Sequence, residues 1–286
     1  MIKHDFFTGQ SKISDPGNFK NDLPGSLSIP QFCDVVNNVM LIDFLDNMKI
    51  MNVPEAHKKD INIRNIEEKL NVLFARNKSE VNKSRTNEEK IFGNCRDTSL
   101  MLCTLLRQNG IAARLRSGFS TIFSSKKKYD HWLCEYWDVQ TKRWIKVDTW
   151  MYQIQHYKDI LPPMFKKGLE KLNYKPMDVD EIFFIPGGCA WHRCQNQGED
   201  PNSYGTYGNM RGLWFIRDNM LRDLLCLNKI EPLPWDCWGL MSGKRGKVTN
   251  QDKEILNHVA FLLSDVENNF GKVREFYLST PNLHFN

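Results

Sequence analysis

The stretch Gly93-Asn94-Cys95-Arg96-Asp97 decides the reading of this chain. Asn94 is a good helix N-cap, and Asp97 stands at the N3 position from which a carboxylate can answer it. Leu100, Leu102, Cys103, Leu105 and Leu106 make the next dozen residues apolar, and Gly110 suits the left-handed position that closes a helix. Residues 111–123 then carry the branched and aromatic content of a strand. Residues 126–129 read as a polar turn, 131–137 as a second strand, 138–142 as a hairpin connection and 143–150 as a third strand. One helix followed by an antiparallel meander is an α+β arrangement.

Outward from that core the pattern weakens. Residues 1–28 are rich in Gly, Pro, Asp and Ser, with turn signals at Asp15-Pro16-Gly17 and Leu23-Pro24-Gly25, and read as an irregular arm. Phe32, Val35, Val36, Val39, Met40, Ile42, Leu45 and Met48 fall near helical spacing, with Pro30 in the first turn. A second helix is expected over 65–76, and residues 77–90 are polar enough for an exposed connection. Toward the C-terminus a short strand is expected at 181–185, a glycine-rich loop at 198–212, and helices at 213–227 and 252–270. The chain shows no internal repeat.

The core places three reactive groups in order: Cys95, His131 in Asp130-His131-Trp132, and Asp148 in Lys146-Val147-Asp148. A cysteine in the first turn of a helix meets unpaired N–H groups and the positive end of the dipole, which favour the thiolate. Its own amide can donate to an oxyanion beside the sulfur. Neighbouring antiparallel strands bring opposed residues within roughly 5 Å, which would let imidazole and carboxylate line up with the sulfur. Taken singly, the plainer readings are a structural cysteine, a strand-edge histidine and a capping aspartate. Together, nucleophile, base and orienter make acyl chemistry the stronger reading.

Four blocks agree in order with a known pattern: Cys95, Gly110-Ile111-Ala112-Ala113-Arg114, His131-Trp132-Leu133-Cys134-Glu135-Tyr136-Trp137, and Trp144-Ile145-Lys146-Val147-Asp148. Residues 92–150 thereby resemble the transglutaminase-like superfamily, a branch of the papain-like thiol enzymes. The resemblance implies a papain-like α+β core with the nucleophile helix packed on an antiparallel sheet and additional helices around it. Cys95 would be the nucleophile, His131 the general base and acid, and Asp148 the orienter. It further implies a single domain over 1–286, with a helical part at 29–77, a catalytic core at 91–155 and a C-terminal extension at 176–286 that completes the pocket. The chain is also similar to bacterial transglutaminase-domain proteins with an Asn-Leu-Leu-Arg-Asp … Leu-Pro-Trp-Asp-X-Trp-Gly tail. Here that tail reads Asn219-Met220-Leu221-Arg222-Asp223 and Leu233-Pro234-Trp235-Asp236-Cys237-Trp238-Gly239, and it implies no activity. Relatives of the family use an extra side chain upstream of the nucleophile in the oxyanion hole. Gln10 and Gln31 are upstream candidates, and Asn94, Trp132, Trp191 and His192 are candidates for the pocket.

With 286 residues, 41% hydrophobic and 26% charged, the composition is that of a globular protein. The net charge of +5 is spread out, apart from Lys126-Lys127-Lys128, which reads as a solvated turn, so no nucleic-acid partner is expected. The opening Met1-Ile2-Lys3-His4-Asp5 leads into no apolar segment, and no window is apolar enough to span a bilayer, so a cytoplasmic protein without membrane contact is expected. In that setting the eight irregularly spaced cysteines are expected to be reduced. Cys189, His192 and Cys194 lack zinc spacing, and no Gly-Lys-Ser/Thr follows the glycines, so neither metal nor nucleotide cofactor is expected. The aromatics Trp191, Trp214, Phe215, Trp235 and Trp238 read mostly as core, with one or two walling the acyl site. The expected substrate is a peptide, a protein or a small amide or thioester. Hydrolysis is the first reading. Transfer to an amine (transglutaminase or amide synthase) and a non-catalytic interaction module that keeps the fold are the alternatives. Acceptor, oligomeric state and pathway stay open.

Overall fold

The structure is a computed structural model that describes residues 4–124, 126–241 and 248–285. The opening Met1-Ile2-Lys3, on which the expectation about export partly rests, lies outside them. The described residues group into two compact units, within Met1–Leu115 and Leu133–Asp180 for the first and within Arg116–Trp132 and Glu181–Asn286 for the second.

In the first unit, α1 (Ile29–Val39) starts behind a Ser28–Gln31 capping box with Pro30 in its first turn. The helix expected to continue to residue 48 stops there. Met40–Ile42 form β1, paired in parallel with β2 (Ile91–Gly93) in the register Met40↔Ile91 and Ile42↔Gly93, before a short α2 (Asp43–Asn47). The run Val39-Met40-Leu41-Ile42 is apolar on every side, so helical spacing could not separate the two states. The extended state wins through distant partners: the Gln153 amide donates to the Met40 carbonyl (2.9 Å) and accepts from the Ile42 N–H (2.9 Å). α3 (Ile66–Arg76) has Asn65 at its N-cap.

α4 (Cys95–Gln108) is capped as its sequence dictates. The Asn94 carbonyl oxygen accepts from the N–H groups of Arg96 (3.0 Å) and Asp97 (3.3 Å), and Asp97 accepts from the Asn94 N–H at 3.2 Å. Gly110 (φ +72°) lets the Ile111 N–H return to the Leu106 carbonyl at 3.0 Å. The sheet follows as β3 (Ala113–Ser120), β4 (Lys128–Asp138) and β5 (Arg143–Val147), with β4 and β5 antiparallel from Cys134↔Val147 to Asp138↔Arg143. α4 lies on this sheet: Arg107 donates to the Ala113 carbonyl at 2.9 Å, and Cys103 meets Cys134 of β4. The third strand ends at Val147 rather than at Trp150, because Asp148 caps α5 (Thr149–His156). α6 (Pro163–Lys171) follows.

In the second unit the far end of β3 pairs antiparallel with β6 (Phe184–Pro186), at Gly118↔Pro186. A Cβ on Gly118 would come within 2.3 Å of the Ile185 carbonyl oxygen, so the close approach requires glycine. Pro186 and the glycines after it end the strand and open α7 (Gly187–Asn196). Within the loop expected at 198–212, β7 (Tyr204–Gly205) adds in parallel to the start of β4. α8 (Leu213–Leu227) is buried over most of its length. The last helix expected over 252–270 is two, α9 (Asn250–Ser264) and α10 (Val266–Ser279). They break at Asp265 (φ −141°, ψ 74°), whose carboxylate accepts from the Asn268 N–H. The architecture is α+β with an antiparallel sheet, as the sequence indicates. Among the described residues no helix is long and apolar enough to cross a membrane.

Candidate active site

Cys95 is the first residue of α4 and is half-buried. Beneath it lies a buried charged cluster. The Asp97 carboxylate accepts from Arg96 at 2.9 Å and from Lys69 at 3.2 Å, and all three side chains are fully enclosed. Burial pulls the Lys69 ammonium below its ordinary range, against the Asp97 charge that holds it up. The chain enters this cluster through Gly93, where a Cβ would lie 2.9 Å from Asp97. The start of α4 is thus fixed from below by ion pairs and from the side by its cap. Cys33, Cys103 and Cys134 of the same unit are buried. Burial pushes the thiols of Cys33 and Cys134 up, helped at Cys33 by the Asp34 and Asp148 charges and at Cys134 by Cys103. Cys95 differs from them in standing at a helix N-terminus and reaching the surface.

Asp148 belongs to the same unit and is wholly buried. One carboxylate oxygen caps α5 by accepting from the Met151 N–H at 2.9 Å, and the other accepts from the Tyr174 hydroxyl at 2.6 Å. Its backbone N–H donates to the Pro176 carbonyl at 2.7 Å. Asp148 is thus a helix cap whose carboxylate keeps acceptor capacity to spare, because each carboxylate oxygen accepts more than one bond. α4 and α5 pack on one another, as do α1 and each of them. No local pattern marks Tyr174, a lone tyrosine in a loop, and none marks Asp43. Since Ile42 pairs with Gly93, Asp43 lies within roughly 10 Å of Cys95 by strand spacing. Its carboxylate accepts from the Trp150 indole at 3.4 Å beside the Phe44 ring, and burial lifts it to about 6.

His131 lies on β4 in the second unit, 5% exposed, one residue of strand before the chain re-enters the first unit. Its neighbour Asp130 accepts from the Asn219 carboxamide at 2.8 Å. Burial raises the Asp130 carboxyl, opposed by that bond and by the charges of Arg222 and His131.

The remaining candidates have the following places. Asn94 is the cap of α4, its oxygen occupied by backbone N–H groups. The Gln31 carbonyl oxygen accepts from the Ser28 N–H (2.9 Å) and hydroxyl (2.8 Å) at the exposed start of α1. The Gln10 amide donates to the Thr104 carbonyl at 2.9 Å. Thr104 lies nine residues after Cys95 along α4, about 13 Å at the helical rise. Trp132 is fully buried in the second unit. Trp191 is 1% exposed and donates to Asn257 at 2.8 Å, and His192 is exposed and bonded to Asn196. Cys189, His192 and Cys194 share α7, but at about 100° per residue Cys194 points away from the face that Cys189 and His192 share. Among the described residues no group of three or more His, Cys, Asp or Glu side chains could hold a metal ion.

The other motif residues converge on structure rather than chemistry. Arg114 pairs with Glu135 at 2.8 Å, and its guanidinium lies 3.9 Å from the Trp144 ring centroid, both ionic partners being buried. Three separate sequence blocks thus lock adjacent strands together.

Compared with protein families, residues 61–149 match the transglutaminase-like superfamily, a segment that contains Cys95, His131 and Asp148. No curated protein and no solved structure matches the chain. The chain therefore carries a transglutaminase-like segment. That superfamily consists generally of cysteine enzymes, acyltransferases and hydrolases, with some non-catalytic members.

Proposed function

We propose that this protein is a thiol hydrolase acting on an amide or thioester, with Cys95 as nucleophile, His131 as general base and acid, and Asp148 as the group that orients the imidazole. The Cys95 thiol passes its proton to His131 and its sulfur attacks the carbonyl carbon, and the Cys95 N–H at the start of α4 donates to the resulting oxyanion. His131 protonates the leaving group, the C–N or C–S bond of the substrate breaks, and a thioester to Cys95 remains. His131 then takes a proton from water, which attacks that thioester, and the acid product leaves with Cys95 restored. Asp148 has the enclosed, doubly hydrogen-bonded carboxylate that such an orienter requires. No cofactor enters these steps.

The observation that carries the reading is Cys95 itself: half-buried, first in a capped helix within the matched segment, and supported by a buried ion cluster. Transfer to an amine would use the same acyl-enzyme. Two measurements test the reading. Iodoacetamide at pH 6 is expected to label Cys95 far faster than Cys33, Cys103 or Cys226. Incubation with p-nitrophenyl acetate is expected to add one acetyl group to the wild type, seen by intact mass, and none at that position in Cys95→Ala. Uniformly slow labelling without acylation would instead identify a binding module.

A further inference from the structure

Asn219 and Asp130 form a device that the reaction described above does not use. Asn219 is fully buried on α8, the helix that opens the tail motif. Its Nδ2 donates to the Gly118 carbonyl on β3 at 3.0 Å and to the Asp130 carboxylate on β4 at 2.8 Å. Its Oδ1 accepts from Arg222 at 3.2 Å. The amide orientation is settled by its partners, since a carbonyl and a carboxylate only accept and a guanidinium only donates. Arg222 is itself held by the Asp236 carbonyl at 3.1 Å, in a turn that Asp236 closes by accepting from the Leu233 N–H at 2.7 Å. A second clamp lies on the same face of α8: Asp223 accepts from Arg116 at 2.9 Å and from the Ser117 N–H at 3.0 Å. The Asn-X-X-Arg-Asp and Leu-Pro-Trp-Asp blocks of the tail are therefore one continuous network, and its end is the residue immediately before His131.

We infer that Asn219, set by Arg222, is a positioning residue for His131: by bonding β3 and β4 together at Gly118 and Asp130, it fixes the backbone from which the imidazole projects. The inference rests on the assignment of His131 as the base. The physical reason is tolerance. A misplacement of about 1 Å at a reacting group lowers rate about 100-fold, and strand ends are where local opening costs least. Asp130 contributes a half-buried acceptor that points away from water to a donor already oriented, so the bond confers direction rather than charge.

The test uses Asp130, whose partial exposure makes loss of folding less of a concern than at Asn219. Asp130→Leu is expected to lower kcat for p-nitrophenyl acetate about 100-fold with KM within about twofold, and Asp130→Asn, which still offers an oxygen to Asn219, to regain at least about tenfold of that loss. A readout independent of turnover accompanies it. In protein labelled with ring-13C histidine, the His131 signal, assigned by its loss in His131→Gln, is expected to be single and sharp in the wild type and in Asp130→Asn. In Asp130→Leu and Asn219→Leu it should broaden or divide. An unchanged His131 signal in folded Asp130→Leu and Asn219→Leu overturns the positioning role whatever the activity. Absence of acylation in the wild type overturns the proposed reaction and leaves the signal to decide the positioning role alone.

Discussion

Substituting Asp97 by Asn keeps the size of the side chain and removes one charge from the cluster at the start of α4. The remaining oxygen can still accept from the Asn94 N–H, so the cap survives. The Lys69 ammonium and the Arg96 guanidinium, both fully enclosed, lose their shared carboxylate and meet an amide that is itself a donor. Breaking a buried pair by removing one partner costs about 3–5 kcal/mol. At about 2 °C per kcal/mol for a chain of this size, the melting point should fall roughly 6–10 °C. The loss should depend on pH. Folding already lowers the Lys69 pKa, so between that value and the ordinary lysine value near ~10.4 the unfolded chain binds more protons, and stability rises with pH. Without Asp97 the folded value drops further and the window widens downward, so the deficit of the variant should shrink with rising pH up to the wild-type folded value and stay level from there to pH 10. Thermal and urea unfolding across that range measure it, and Asp97→Asn/Lys69→Met should recover part of the loss at pH 7. A deficit below about 1 kcal/mol that stays flat with pH would refute the view that Asp97 neutralises buried cations.

Tyr174→Phe removes the hydroxyl that donates to Asp148 at 2.6 Å. A bond to a charged group contributes about 1.5–3 kcal/mol, so urea unfolding should show a loss of that size, with kcat/KM for p-nitrophenyl acetate down about tenfold. Asp43 sits at about 6 in the fold against an ordinary value of 3.8, so the folded state holds its proton more tightly, and stability from this group is lost as pH rises from about 4 to about 6. Asp43→Asn should remove that fall, making the variant more stable than the wild type at pH 7 by up to about 3 kcal/mol, less the screening at its partly open side. Urea midpoints of the two proteins at pH 4, 5, 6 and 7 check the sign.

The legible parts of the chain were those whose causes are local. The capping of α4 needs only Asn94 and Asp97, three residues apart, and its ending needs only the freedom of Gly110 to take φ +72°. α8 was read to its ends from apolar content alone. Cys95, His131 and Asp148 can be proposed from sequence because their blocks follow one another in the order of the family pattern. The misread parts were those decided by distant partners. Met40-Leu41-Ile42 reads equally as helix or strand until β2 and, more than a hundred residues away, Gln153 satisfy its backbone. Trp150 reads as strand until Asp148 turns to cap α5.

By itself the sequence determined an α+β core whose helix opens on a cysteine, since caps, breakers and periodicity act within a turn or two of chain. Only tertiary structure decided that Asp148 is held by Tyr174, that Asp97 lies between two enclosed cations, and that the tail motif ends on Asp130. Those bonds join residues as far as 89 positions apart, and a buried polar group finds its partner through the packing of whole elements, which no local pattern records.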